Sequence, residues 1–74
     1  MEGIYKEKEA FVKELGELLS KHEVNDILGM EYSKREDGFE IVKVIYHGDG
    51  CHLVNVSGDS NTGILIDIIR QTGM

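Results

Sequence analysis

Between residues 2 and 22, apolar side chains recur at spacings of three, four and seven: Ile4, Phe11, Val12, Leu15, Leu18 and Leu19. That period predicts an amphipathic helix with one face turned to a core. The opposite face pairs Glu2 with Lys6, Glu9 with Lys13 and Glu17 with Lys21. Each acid precedes its base by four residues, the orientation that contributes roughly 0.2–0.5 kcal/mol per pair. Gly16 interrupts the pattern and costs about 1 kcal/mol relative to Ala, unless something packs closely there.

After a polar turn at Val24-Asn25-Asp26, the pattern changes to short β-rich runs at about 28–34, 39–47 and 51–57. Asp37-Gly38 separates the first two, and Gly48-Asp49-Gly50 the second two. Both connections are too short for a crossover, so the three strands form an antiparallel meander. The middle strand is apolar on both faces: Val42, Val44 and Tyr46 on one, Phe39, Ile41 and Ile45 on the other. Val54 and Val56 of the third strand share a face, with Leu53 on the other. One layer of helices covers only one face of such a sheet. The other must meet a second layer, a partner or a ligand.

The chain closes with a strand, a turn and a helix. Asp59 or Ser60 caps a helix over about 61–72, and Gly73 suits its C-terminal stop. Around that helix Ile64, Leu65, Ile66, Ile68 and Ile69 sweep roughly 200°, leaving Asp67 and Arg70 as a polar edge. The whole chain, residues 1–74, is then a single small α+β domain of order α-β-β-β-α: a three-stranded antiparallel meander flanked by an N-terminal and a C-terminal helix.

Composition adds constraints. With two phenylalanines and no tryptophan, the core rests on Ile, Leu and Val. A core of this size supplies only about 3–5 kcal/mol, which makes a homo-oligomer the expected state. The net charge is −6, and 9 of the 14 acids lie beyond residue 22, against 4 of the 8 Lys and Arg. That balance argues against a nucleic-acid partner. No apolar run approaches membrane-spanning length, and no apolar leader opens the chain, so a cytoplasmic, membrane-free protein is expected. A single cysteine, Cys51, excludes an internal disulfide.

Candidate chemistry is sparse. In the turn, Gly58, Ser60, Asn61, Thr62 and Gly63 combine helix-start N–H donors with glycines and hydroxyls, a set able to hold a phosphate or carboxylate. No lysine accompanies it as in a phosphate-binding loop, and an ordinary capped turn is the commoner use of such residues. His47, Cys51 and His52 surround the second hairpin, but neighbours in a strand point to opposite faces, so no metal site is expected. No cofactor, nucleophile or general base is recognisable. Outside the first helix, the cations are Lys34, Arg35, Lys43 and Arg70.

Val24-Asn25-Asp26-Ile27-Leu28, the middle strand, and Val54-Asn55-Val56-Ser57-Gly58-Asp59-Ser60 followed by Ile66-Asp67-Ile68-Ile69-Arg70 resemble small uncharacterised proteins carried by phages and prophages of Gram-positive bacteria. The resemblance covers roughly residues 24–72; Asn61-Thr62 and Gln71-Thr72-Gly73-Met74 depart from it. It implies a phage accessory role in the host cytoplasm, countering host defence by binding a host protein or a nucleotide signal. It brings no established activity and no site residues.

The expected function is therefore non-enzymatic: a sponge sequestering a small phosphorylated or nucleotide signal in an inter-subunit pocket. Gly58, Ser60, Asn61, Thr62 and Gly63 supply the donors, Arg70 the neutralising charge, and Tyr32 or Tyr46 a stacking surface. The alternatives are an inhibitor of a host protein acting through the acidic strand surface, and a structural accessory protein.

Overall fold

The computed structural model describes residues 2–48, 50–56 and 60–73. Helix α1 (Glu2–Lys21) leads into strands β1 (Ile27–Lys34), β2 (Glu40–Tyr46) and β3 (Cys51–Val56), and helix α2 (Asn61–Thr72) closes the chain. The strands form one antiparallel sheet in the order β1-β2-β3, the expected α-β-β-β-α arrangement.

Both helices lie on the same face, α1 over β1 and α2 over β3. Val12 of α1 and Ile64 and Ile68 of α2 meet Met30, Val42, Val44, Val54 and Val56 of the sheet, with Ile27 at the start of β1. Phe11, Leu15 and Leu19 pack against this core as predicted, whereas Leu18 is exposed. The side chains of Glu2 and Ile4 lie outside the described part.

The start of β1 breaks simple alternation. Ile27 pairs with Tyr46 and Gly29 with Ile45, so Leu28 is an extra residue opposite no partner. This bulge lets Ile27 and Met30, three residues apart, both point inward and leaves Leu28 exposed.

Helix α1 ends in a Schellman-type cap, with Val24 N–H donating to Leu19 O at 2.9 Å and Glu23 N–H to Ser20 O at 3.2 Å. Glu23 occupies the left-handed position (φ 56°) usually given to glycine, and Asn25 and Asp26 follow with φ 48° and 61°. His47 N–H donates to Asp26 O at 2.9 Å, tying the second hairpin to this turn. At the other edge of the sheet, the Gln71 amide pairs with the Asn55 backbone. Asn55 N–H donates to Oε1 at 3.1 Å, and Nε2 donates to Asn55 O at 2.7 Å.

At Gly16, α1 lies close against the backbone of β1. A Cβ there would fall 2.4 Å from the Met30 backbone nitrogen and 3.1 Å from the Gly29 carbonyl carbon. Neither backbone atom can step aside, so the helix would have to lift. The propensity cost of this glycine is therefore offset by contact.

Two substitutions should thus act against helix propensity. Gly16→Ala should lower unfolding stability by about 1–3 kcal/mol through overpacking, where an exposed helical glycine would gain about 1. Glu23→Gly should raise it by about 0.5–1 kcal/mol by relieving the left-handed strain. Urea unfolding of both variants checks the pair, and a more stable Gly16→Ala protein would contradict the close contact.

Candidate functional site

The last helix starts as its sequence suggests. Ser60 is the N-cap, with extended backbone (φ −156°, ψ 161°), and its Oγ accepts the Gly63 N–H at 3.0 Å. Ile64 N–H donates to Ser60 O at 3.0 Å. The Gly63 donor is thereby used within the cap, and Asn61 and Thr62 sit exposed on the first turn. Gly58 lies outside the described residues. At the far end, Gly73 (φ 74°) donates its N–H to Ile69 O and closes the helix.

The other predicted pocket residues lie elsewhere. Arg70 is exposed nine residues beyond Asn61, about 13 Å along the helix axis. Val56, where β3 approaches the turn, pairs with Glu40, while Tyr46 ends β2 six residues later, about 20 Å along the strand. Tyr32 is half-buried on β1, and its hydroxyl is engaged with Glu40. Within one chain the capped turn, Arg70 and Tyr46 are not brought together. A pocket using the turn and Arg70 side by side needs a second subunit.

A different cluster is assembled instead. Lys8, only 7% exposed, extends across the inner face, and its Nζ donates to Glu40 Oε1 at 2.8 Å. The Tyr32 hydroxyl donates to the same oxygen. Register explains the meeting: Tyr32 pairs with Val42, and Glu40 precedes Val42 by two residues on the same face. Burial pushes the Glu40 carboxyl up. The hydrogen bonds from Lys8 and Tyr32, with the positive charges of Lys8 and Lys34, outweigh burial and hold it below its ordinary value.

The signal for this cluster was present in the pattern. Lys8 lies within the apolar stripe, four residues after Ile4 and four before Val12, and Glu40 is the one acid aligned with Val42 and Val44. Chemically the cluster is closed. Its carboxylate is held ionised by its neighbours, and among the described residues no buried side-chain nitrogen or oxygen lacks a hydrogen-bond partner. It anchors the first half of α1 to β2.

The outward face of the sheet is open. Phe39 is 65% and Leu53 58% exposed; Leu53 pairs with Lys43, which half-buried Ile41 and Ile45 flank along β2. Ile66 and Ile69 of α2 are also exposed, so the apolar girth of that helix exceeds what the sheet covers. A groove of about 510 Å³ runs between α1 and β1; it carries Glu9, Glu17 and Glu31 against Lys13. That sign suits a cation better than a phosphate. His47, Cys51 and His52 are exposed around the second hairpin, and the described residues contain no group of three or more His, Cys, Asp or Glu able to hold a metal. No helix among them is long and apolar enough to cross a membrane.

The Glu40 cluster makes stability depend on pH. Its folded pKa is depressed, so its contribution is complete above the unfolded carboxyl value of about 4.3 and is lost as pH falls through the lower folded value. Glu40→Gln should cost about 1–3 kcal/mol at pH 7, because Lys8 loses its counter-charge. The gap from the unmodified protein should close under acid. Urea midpoints of both proteins across this pH range measure it, and a pH-independent gap would show that the charge is not the source.

No family model, curated protein or solved structure matches this chain.

Proposed function

We propose that this protein acts by binding rather than catalysis, that its working form is a homo-oligomer, and that its ligands are protein surfaces. The observation that carries this reading is the open sheet face, where Phe39, Ile41, Ile45 and Leu53 surround Lys43 and neither helix covers them. A patch of this kind marks an interaction site on a small domain. The acids support a protein partner: of the described Asp and Glu side chains beyond residue 5, all but Glu40 and Asp67 are exposed. They present a negative rim suited to a basic partner.

The nucleotide-sponge version draws less support. It depends on Arg70 of one subunit meeting the capped turn of another, and the groove beside α1 has the wrong sign for a phosphate. With the resemblance to phage-carried proteins, the protein-binding version makes the target a host protein.

Native mass spectrometry of the protein purified from cells, followed by thermal shift with a panel of nucleotides and cyclic dinucleotides, tests this directly. The expected result is an oligomer with no nucleotide-dependent rise in melting temperature. A ligand present at about 100 times its Kd would add roughly 2.7 kcal/mol, so clear stabilisation by any nucleotide would restore the sponge. A monomer at high micromolar concentration would remove the oligomer.

A further inference from the structure

The outward face has an internal asymmetry that defines what fits it. On that face Gly29, Glu31 and Ser33 of β1 stand in register with Ile45, Lys43 and Ile41 of β2. Each small or acidic residue on β1 thus has a large or basic neighbour on β2. The position above Gly29 is empty: a Cβ placed there meets no atom within 4 Å.

We infer that this face binds a second copy of the same chain, stacked sheet to sheet about a two-fold axis that runs parallel to the strands, midway between β1 and β2. The inference deepens the oligomeric reading above and rests on it. Rotation about that axis exchanges the two columns and keeps each residue in its row. Ile45 then lies over the partner's Gly29, Lys43 over the partner's Glu31 and Ile41 over the partner's Ser33, with the reciprocal contacts made at the same time. Knobs meet holes in two rows and opposite charges meet in the third. Leu53, one strand spacing of about 4.8 Å beyond β2, is carried past the partner's β1 and over its groove beside α1.

Charge exchange tests the arrangement. Glu31→Lys and Lys43→Glu each place like charges against one another in both symmetric contacts, so each should weaken self-association at least about tenfold. An equimolar mixture of the two variants restores both opposite-charge contacts, and a heterodimer of near wild-type affinity should form. That rescue also shows that both variants are folded. Gly29→Val grows into the hole from a Cβ that meets no atom within 4 Å, and should likewise give a monomer, folded by circular dichroism.

Sedimentation velocity over a concentration series reads the unmodified protein, the three variants and the mixture. If the unmodified protein dimerises but these variants dimerise equally well, or the mixture fails to recover, the sheet-to-sheet pairing is wrong. If Ile66→Glu then dissociates the dimer, assembly runs through α2 and the oligomeric reading survives alone. A monomeric unmodified protein ends both.

Discussion

The approach of α1 to β1 at Gly16 sets the rest of the structure. Without a side chain there, the helix lies against the backbone of Gly29 and Met30, and its position along the strand is fixed. From Gly16 back to Lys8 is eight helical residues, about 12 Å. From Met30 forward to Lys34 is four strand residues, about 13 Å. The two lengths agree, so the antiparallel helix delivers Lys8 to the row in which Lys34 pairs with Glu40. A contact made by the absence of a methyl group and an ion pair two turns away are parts of one fit. The Leu28 bulge belongs to it as well, because it turns both Ile27 and Met30 toward the helix.

Placing both helices on one face follows from their apolar stripes and leaves the sheet with two surfaces to manage. The free side of β3 is partly closed by Gln71, whose amide occupies the Asn55 donor and acceptor that an added strand would use. Edge-to-edge pairing is disfavoured there. The outward face has no such cover. Its apolar residues are held in place by the same ladder that builds the core, so exposure there is a property of the fold.

Much of this architecture was legible from periodicity and turn chemistry. The Ser60 cap, the Gly73 stop, the two hairpins and the two-faced character of β2 all follow from local rules that tertiary packing did not override. Two features were not legible, each for a definite reason. A bulge shifts register by one residue, and Leu28 reads like any other strand residue. Lys8 stands on the apolar stripe between Ile4 and Val12, but its partner Glu40 lies 32 residues on, and only the sheet register brings the two together. The grouping of Arg70, Tyr46 and the turn was expected between subunits; within one chain the three stay apart, because proximity in sequence after Ser60 becomes separation along a rigid helix. Tyr46 closes the opposite end of its strand.

The period of two in β2 divides the two tasks of this small chain between alternate residues. Glu40, Val42 and Val44 face the helices and supply the ion pair and core contacts that make the domain fold. Ile41, Lys43 and Ile45 face outward and touch neither helix core nor anchor. A substitution at an odd-numbered position of this strand therefore alters the outward face while leaving the core contacts intact, and one at an even-numbered position does the reverse. A partner seated on that outward face would add stability by mass action to a domain with so small a core.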